Sequence, residues 1–271
     1  MFIVKVPGIN GLGKTRGCEK AGNEILKCLK EEIYSNESGN PIDINKLDIE
    51  EIHLDNSNLE LTNKLIYKNA LDIFESKEKV IFLGGDHSIS YSLGKAFLDS
   101  CKSRGKEPCL IVFDAHPDCM PLTKGTEGYP NHEEWLRGLI ESGFPVRNIL
   151  LVGIRNSDIA EIEFLKEKNI RIIGMNSLLE NIEEMCEIIM EFSDKKELYL
   201  SLDIDVVDPV FAGATGYKEP GGLTSREFLY IIQRLSKIKN LRAVDLVEIN
   251  PEKDINNLTV KLGAKILAEL I

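Results

Sequence analysis

The chain has 271 residues, of which 43% are hydrophobic and 28% charged, and it lacks any apolar run near the roughly eighteen residues that a membrane helix needs. Its 33 basic and 44 acidic residues give a formal net charge of −11 at pH 7, a field that repels polyanions. Collagen-like, disordered and membrane classes are thereby excluded, and we expect neither a nucleic-acid nor a membrane partner.

Short apolar runs alternate with longer amphipathic segments, a pattern typical of βαβ units. The predicted strands are 2–6, 50–54, 79–84, 109–114, 149–154, 170–174, 198–205 and 241–247. The predicted helices are 18–31, 58–76, 89–102, 132–142, 158–167, 179–192, 224–236 and 254–269. No linker, repeat or change of composition divides the chain, so we expect a single domain over 1–271, with an α/β fold built on a mostly parallel sheet covered on both faces.

The N-terminal segment and the cysteines indicate the compartment. The start MFIVKVPG meets a proline too early to supply the apolar region of a signal peptide. The six cysteines lie far apart without a C-x-x-C pair, in a chain too long to need a disulfide framework. We therefore expect no export, reduced thiols and a cytoplasmic location.

Side chains that bind metals are concentrated where three predicted strands end, which is where ligands bind in open α/β sheets. The first end carries GGDHS, with two glycines that permit a tight turn. The second carries DAHPD, whose alternate residues point to one side if the chain stays extended. The third carries DID, with both carboxylates on one face of an apolar strand. The candidate ligands are His87, Asp114, His116, Asp118, Asp203 and Asp205.

These carboxylates predict a pair of cations. Burying four of them together without compensation would be prohibitively costly. If they converge, their formal charge of about −4 matches two divalent ions, and the two imidazoles complete the ligand set. Oxygen and nitrogen ligands without a thiolate favour a metal such as Mn²⁺ over structural zinc. The sequence thus predicts a two-metal site, and such sites usually activate a bridging water.

The same motifs carry a resemblance to a known family. GGDHS, DAHPD and SLDIDVVDP, in this order and at these spacings, resemble the three metal-binding motifs of the ureohydrolases, the arginase and agmatinase family. The similarity extends to VGIR (152–155), AGATGYKEPGGLTSRE (212–227) and VEINP (247–251), so it covers most of the chain. It implies an arginase-like three-layer α/β/α fold with an eight-stranded sheet, and a homo-oligomer that is a trimer or a hexamer.

The resemblance also implies two Mn²⁺ ions per chain and assigns their ligands. Asp114 and Asp203 would bridge the ions. His87 and Asp118 would complete the ligands of one ion, and His116 and Asp205 would complete those of the other.

Further roles follow from the resemblance. Glu248, in VEINP, would pair with a guanidinium group and hold it over the metals. His132, sixteen residues after His116, would occupy the position of the family's proton-shuttling histidine. In the mechanism that this predicts, a metal-bridging hydroxide oriented by Asp118 attacks the guanidinium carbon. His132 then protonates the leaving amine, and urea is released.

The substrate stays open at this point. Asp158, just past VGIR, stands where the family has an acidic residue that binds the substrate, whereas Met120 and Gly128 stand where arginases carry polar residues that contact the substrate carboxylate. We therefore favour an agmatine-like or other small guanidino substrate, with arginine as the next candidate. Hydrolysis of a formimino or amide-type C–N bond and a non-catalytic family member are the alternatives.

A remote alternative comes from another class of protein. The segment GINGLGKT (8–15) fits the P-loop pattern G-x-x-x-x-G-K-[ST], and it follows a predicted strand and precedes a predicted helix. A P-loop NTPase would need an acidic strand end such as Asp114, which DAHPD already uses.

Overall fold

The computed structural model describes residues 1–11, 13–123 and 128–271. The strands are β1 (Phe2–Val6), β2 (Asp48–Glu51), β3 (Val80–Gly84), β4 (Pro108–Phe113), β5 (Ile149–Ile154), β6 (Arg171–Gly174), β7 (Glu197–Asp203) and β8 (Leu241–Val247). The helices are α1 (Ala21–Glu32), α2 (Leu59–Ser76), α3 (Ile89–Ser103), α4 (Trp135–Glu141), α5 (Ile159–Lys168), α6 (Met175–Glu180), α7 (Ile182–Phe192), α8 (Ser225–Leu235) and α9 (Leu258–Leu270).

The eight strands form one sheet in the order β2-β1-β3-β8-β7-β4-β5-β6, and each of its pairings is parallel. The predicted α/β class and eight-stranded sheet are therefore confirmed, with a sheet that is parallel throughout. Strands β3, β8, β7 and β4 are neighbours, and parallel pairing places their carboxyl ends at one edge. The loops that follow these four strands carry the site.

Helices cover both faces of the sheet because its strands are apolar on both sides. In β3, Ile81 and Leu83 belong to one buried cluster, together with residues of α1 and of α6 to α9. The alternate residues Val80 and Phe82 belong to a second cluster, with residues of α2 to α5. Successive side chains of one strand thus enter two separate cores, which makes three layers.

Several predicted boundaries are wrong, and side chains that bind the backbone account for two of them. The helix predicted over 179–192 is two helices, because the Asn181 side chain accepts a hydrogen bond from the backbone N–H of Glu184 and starts α7 anew. The strand predicted over 198–205 ends at Asp203, whose carboxylate accepts from the N–H of Asp205 and starts a 3-10 turn. The second strand lies at 48–51 instead of 50–54.

Three helices begin three or four residues later than the sequence predicts. Helix α1, predicted from 18, begins at Ala21 after a 3-10 turn over Cys18–Lys20. The segment predicted as a helix from 132 has turns up to 134, and α4 begins at Trp135. The last helix begins at Leu258 instead of 254, after a 3-10 turn over Pro251–Lys253.

The helices and the cysteines of the described part of the chain have features that concern membranes and disulfides. None of its helices is long and apolar enough to cross a membrane. All six cysteines are buried and unpaired.

Candidate metal centre

The loops that follow three neighbouring strands approach one another closely, and a glycine makes this possible. A Cβ atom on Gly85 would lie 1.9 Å from the carbonyl oxygen of Gly8, so only glycine fits at this position. The carbonyl of Gly85 accepts a hydrogen bond of 2.9 Å from the N–H of Glu248. The loops after β1, β3 and β8 are thereby joined directly beside the site.

One group of possible metal ligands surrounds the Nδ1 atom of His87. This atom lies 3.0 Å from Asp114 Oδ2 and 3.0 Å from Asp118 Oδ2. The distance from His87 Nδ1 to Asp203 Oδ2 is 3.1 Å. His87, Asp114 and Asp118 form a buried set whose ligand atoms lie within 4.8 Å of one another.

A second group shares Asp114 with the first. It consists of Asp114, His116 and Asp205. The His116 Nδ1 atom lies 3.0 Å from Asp205 Oδ2 and 3.7 Å from Asp114 Oδ1. Asp205 is held by the N–H of Ala115, which donates to its Oδ1 at 3.0 Å. The structure thus brings all six predicted ligands together, with Asp114 in both groups and Asp203 beside His87.

The route by which the ligands converge differs from the prediction. Strand β4 ends at Phe113, and the backbone then turns, since the Asp114 carboxylate accepts from the N–H of His116 at 2.7 Å. Asp118 has a left-handed backbone with φ of 50°. The condition of an extended DAHPD is therefore not met, and the expectation of a strand face that carries both Asp203 and Asp205 is wrong.

The residues present fit divalent cations. Among the described residues, His87 Nδ1 and Asp114 Oδ2 are fully buried, and their 3.0 Å approach lacks the angle of a hydrogen bond, so neither atom is satisfied by the protein. Burial, with the negative charge of Asp205 and Asp114, raises the pKa of Asp203 well above its ordinary value. Such a cluster is costly when ionised and accepts a cation readily, and its oxygen and imidazole atoms suit a metal of the Mn²⁺ type.

Two consecutive hydrogen bonds behind His87 determine which of its ring nitrogens carries the proton and which faces the carboxylates. The hydroxyl of Ser201 donates to Asp245 Oδ1 at 2.7 Å, so it accepts from His87 Nε2, which lies 2.9 Å away. The proton of a neutral imidazole is therefore on Nε2. The lone pair of Nδ1 points to the other ligands, as metal coordination requires.

Glu248 and His132 form the next part of the site. Glu248 has a left-handed backbone with φ of 64°, and its Oε1 accepts from the N–H of His87 at 3.0 Å. Its Oε1 also lies 3.5 Å from Nδ1 of the buried His132. Burial opposes a proton on His132, but the carboxylate of Glu248, together with the charges of Asp86 and Asp118, outweighs burial and raises the pKa of His132 to about 9.

The ligand groups, Glu248 and His132 open into one cavity of about 390 Å³. Asp158 lies at its wall, where its carboxylate also caps α5 by accepting from the N–H of Ala160. The lining residues are His116, Asp118, Met120, His132, Glu133, Asn156, Ser157, Asp158, Glu161, Asp203, Asp205, Thr215, Tyr217 and Glu248.

Sequence reasoning missed four residues of the site. Ser201 and Asp245 are fully buried polar residues within apolar strands, and that departure from the strand pattern was a usable signal. Trp135 donates to Asp118, and the ring of Tyr217 stacks on His132 with centroids 5.4 Å apart. For these two aromatic residues the sequence offers no comparable signal.

The segment 8–15 does not support nucleotide binding. The hydroxyl of Thr15 donates to the buried Asp86 carboxylate at 2.7 Å, and the N–H of Asn10 donates to it at 2.6 Å. Groups that a P-loop would direct at a phosphate are thus bound to a carboxylate of the protein itself. Leu12 of this motif lies outside the described residues, as do residues 124–127 of the loop that precedes His132.

Comparisons with known proteins show the family and the fold. The model of the arginase family matches residues 1–271. An agmatinase of Bacillus subtilis is 30% identical over 231 residues, which cover 84% of this chain and 75% of that protein. An arginase of Schizosaccharomyces pombe is 30% identical over 197 residues, which cover 65% of this chain and 58% of that protein. The structure of formimidoylglutamase from Bacillus subtilis has the same fold, with a TM-score of 0.86 at 23% identity over 99% of this chain and 84% of that one.

The matches cover different shares of this chain and of its relatives. The chain spans 58% to 64% of the length of three fungal arginases that it matches, so those proteins are longer than the shared part. The family model, by contrast, covers the whole of this chain. This chain belongs to the arginase family.

Proposed function

We propose that this protein is a metal-dependent hydrolase that cleaves a C–N bond of a small guanidino compound and releases urea. The observation that carries the proposal is the pair of ligand groups that share Asp114 and open into the same cavity as Glu248 and His132. Relatives named arginase and agmatinase, each 30% identical, support the class of reaction.

Two Mn²⁺ ions are the cofactors in this proposal. His87, Asp114, Asp118 and Asp203 would hold one ion, and Asp114, His116, Asp203 and Asp205 would hold the other. When bound, a pair of such cations supplies an activated water as the nucleophile and stabilises developing negative charge. Asp118 would orient the attacking water, because one of its oxygens is already fixed by a hydrogen bond from Trp135 at 2.8 Å.

Glu248 would bind the guanidinium group. Its carboxylate is buried and faces the cavity, and a planar guanidinium pairs well with a carboxylate. The hydrogen bond from the N–H of His87 fixes Glu248 relative to the first ligand group. A guanidinium carbon bound there would lie over the nucleophile, which is a contribution from positioning.

His132 would donate the proton that the leaving amine needs. With a pKa of about 9, its ring is protonated at neutral pH. Its Nδ1 faces Glu248, and its Nε2 lies 3.9 Å from Glu133 Oε1 at the wall of the cavity. A protonated imidazole in this place can act as a general acid, and the leaving group then departs as a neutral amine.

The charge of the cavity favours a substrate with two positive groups. Seven carboxylates line it, and the four that are not proposed metal ligands, Glu133, Asp158, Glu161 and Glu248, keep it negative when the cations are bound; its described lining residues include no lysine or arginine. Glu133 and Asp158 line the cavity without belonging to either ligand group, and their carboxylates would suit a second ammonium group. Arginine would bring an α-carboxylate into this negative field, which is unfavourable. We therefore propose an agmatine-like substrate before arginine.

The test is urea release by the Mn²⁺-loaded protein from agmatine, arginine, guanidinobutyrate, guanidinopropionate, guanidine and formiminoglutamate. We expect urea from a guanidino compound, agmatine first, and none from a chelated sample. If arginine alone released urea, arginine would replace agmatine as the proposed substrate. Turnover of formiminoglutamate alone would replace the reaction with formimino hydrolysis.

Two variants distinguish the role of Glu248 in the site from a general effect of removing a carboxylate. Glu248→Gln removes the proposed guanidinium partner and should reduce kcat/KM by at least about 100-fold. Glu252→Gln removes a carboxylate that is partly exposed and pairs with Lys20 outside the cavity, so kcat/KM should stay unchanged. Equal activity of the two variants would contradict the role of Glu248.

The oligomeric state and the location are separate predictions. A trimer or hexamer is carried over from the family resemblance, and light scattering on the purified protein tests it. The cytoplasmic location rests on the sequence alone.

A further inference from the structure

Trp135 is the chain's single tryptophan, and it contacts two proposed metal ligands at once. It is fully buried at the first residue of α4. Its indole Nε1–H donates to Asp118 Oδ2 at 2.8 Å. Its ring lies against the imidazole of His87, with centroids 4.6 Å apart and planes at 33°.

These contacts fall on one of the two ligand groups. Asp118 and His87 both belong to the first group, with Asp114. In the described part of the chain, no hydrogen bond or ring contact joins Trp135 to His116 or Asp205 of the second group. Any effect of the indole on metal binding should therefore differ between the two groups.

The backbone strengthens the link between α4 and Asp118. The carbonyl of Asp118 accepts a hydrogen bond of 3.2 Å from the N–H of Leu136, the residue after Trp135. Asp118 is thus held through its main chain and its side chain by the same turn, at a left-handed φ of 50°. An indole has one donor and no acceptor, so it fixes a single carboxylate oxygen, Oδ2, which also lies 3.0 Å from His87 Nδ1.

We propose that Trp135 is a positioning residue that sets the metal affinity of the group His87, Asp114 and Asp118, and not that of the group Asp114, His116 and Asp205. It orients Asp118 through the hydrogen bond and the His87 ring through the face contact. Partners of this kind that orient metal ligands typically change affinity 10- to 100-fold when removed. The inference rests on the proposed two-metal function.

The first test is calorimetric titration of metal-free protein with Mn²⁺. Trp135→Phe keeps an aromatic ring but removes the N–H, and we expect one of two binding steps to weaken about 10- to 100-fold while the other is unchanged. Tyr91→Phe is the matched control, because it removes a hydroxyl contact to Ser142 at the end of α4, away from the ligands. Both binding steps should be intact in that variant.

The second test keeps Trp135 in place, so it does not depend on whether Trp135→Phe folds. Since Trp135 is the chain's single tryptophan, its emission should be quenched as Mn²⁺ fills the first group. His116→Ala should retain this change, and His87→Ala should lose it. Equal quenching in the two variants would overturn the assignment of Trp135 to the first group.

Separate measurements of metal binding and of urea release distinguish a failure of this inference from a failure of the proposed function. Binding of two Mn²⁺ ions to Trp135→Phe with wild-type affinity would overturn the inference, even if the protein releases urea. Selective weakening of one ion in a protein that hydrolyses none of the guanidino compounds would support the inference while the proposed function fails.

Discussion

At the scale of single residues, the backbone is strained beneath two acidic side chains of the site. Asp118 and Glu248 have φ of 50° and 64°, in the left-handed region that costs non-glycine residues roughly 1–2 kcal/mol. Each is held by a main-chain hydrogen bond, Asp118 from Leu136 and Glu248 to Gly85. Conformations of this kind persist where the surroundings fix them, and they concentrate at functional sites.

Asp118→Asn should stabilise the metal-free protein. Burial and the charge of Asp114 raise the pKa of Asp118 to about 7, so at pH 8 its charge opposes folding. Asparagine tolerates the left-handed backbone and still accepts from Trp135. We expect the free energy of unfolding at pH 8 to rise by about 1–3 kcal/mol, as measured by urea unfolding with a chelator present.

The pH dependence and a control complete this experiment. Because the folded-state pKa of Asp118 is raised, its destabilising effect develops as pH rises, so the gain should be smaller at pH 5 than at pH 8. Asp194→Asn, at an exposed position, should leave stability unchanged at both values. A less stable Asp118→Asn protein at pH 8 would contradict the proposed repulsion.

The charge of His132 can be measured without turnover. The chain has four histidines, so the ring signals can be assigned and followed by NMR in metal-free protein. We expect His132 to titrate at about 9, and in Glu248→Gln its pKa should fall because the nearby negative charge is lost. Titration at the same pH in both proteins would contradict the pairing of His132 with Glu248.

The convergence of the six candidate ligands could be predicted from the sequence, but their local geometry could not. Each motif lies at the end of an apolar run, and these runs are strands whose ends meet. The turns after them depend on bonds from side chain to backbone, such as Asp203 to the N–H of Asp205, which have no periodic signal. Trp135 reaches the site because α4 starts there, and Tyr217 reaches it because of the path of its loop. Tertiary packing sets both positions.

At the scale of elements, charged contacts join the loop after α1 to α8. Glu37 accepts two hydrogen bonds from Arg226 and one from Gln233, both residues of α8. The hydrogen bonds from Arg226, with that from Gln233, lower the pKa of Glu37 to about 2. The N–H of Glu37 also donates to Glu269 in α9.

This contact should weaken in acid. Because the pKa of Glu37 is lowered on folding, its contribution is complete above about pH 4.5 and is lost between about pH 4.5 and 2. The group is largely exposed, so we expect less than about 1 kcal/mol. Glu37→Gln should therefore lower the free energy of unfolding slightly at pH 7 and not at pH 2. An equal effect at both values would contradict the ion pair.

Most elements could be predicted from periodicity, since a strand buried on both faces is a short apolar run and the helices between them are amphipathic. The start of α8 was also readable, and the capping box of Thr224 and Glu227 is present. The break between α6 and α7 was not, because Asn181 ends one helix and starts another without a glycine or proline. The start of β2 is set by its pairing with β1, from Phe2 opposite Asp48.

At the scale of the whole molecule, bound metal should stabilise the fold in a pH-dependent way. A ligand that binds only the folded state adds about 2.7 kcal/mol at 100 times its Kd. The carboxylates around His116 raise its pKa to about 12, and burial raises that of Asp203, so protons compete with the metal. We expect Mn²⁺ to raise Tm by more at pH 8 than at pH 5.5, with a chelator reversing the change. Equal increases at the two pH values would contradict this competition.

The place of β8 has a consequence for synthesis of the chain. Strands β2, β1 and β3 form one part of the sheet and β7, β4, β5 and β6 form the other, and β8 is the strand that pairs with both. During translation, the edges of β3 and β7 that pair with β8 therefore stay unpaired until residues 241–247 emerge. Until that moment Glu248 is also missing from the cavity. A nascent chain of this protein carries two unpaired sheet edges, the feature that makes intermediates prone to aggregate, until its final strand joins them.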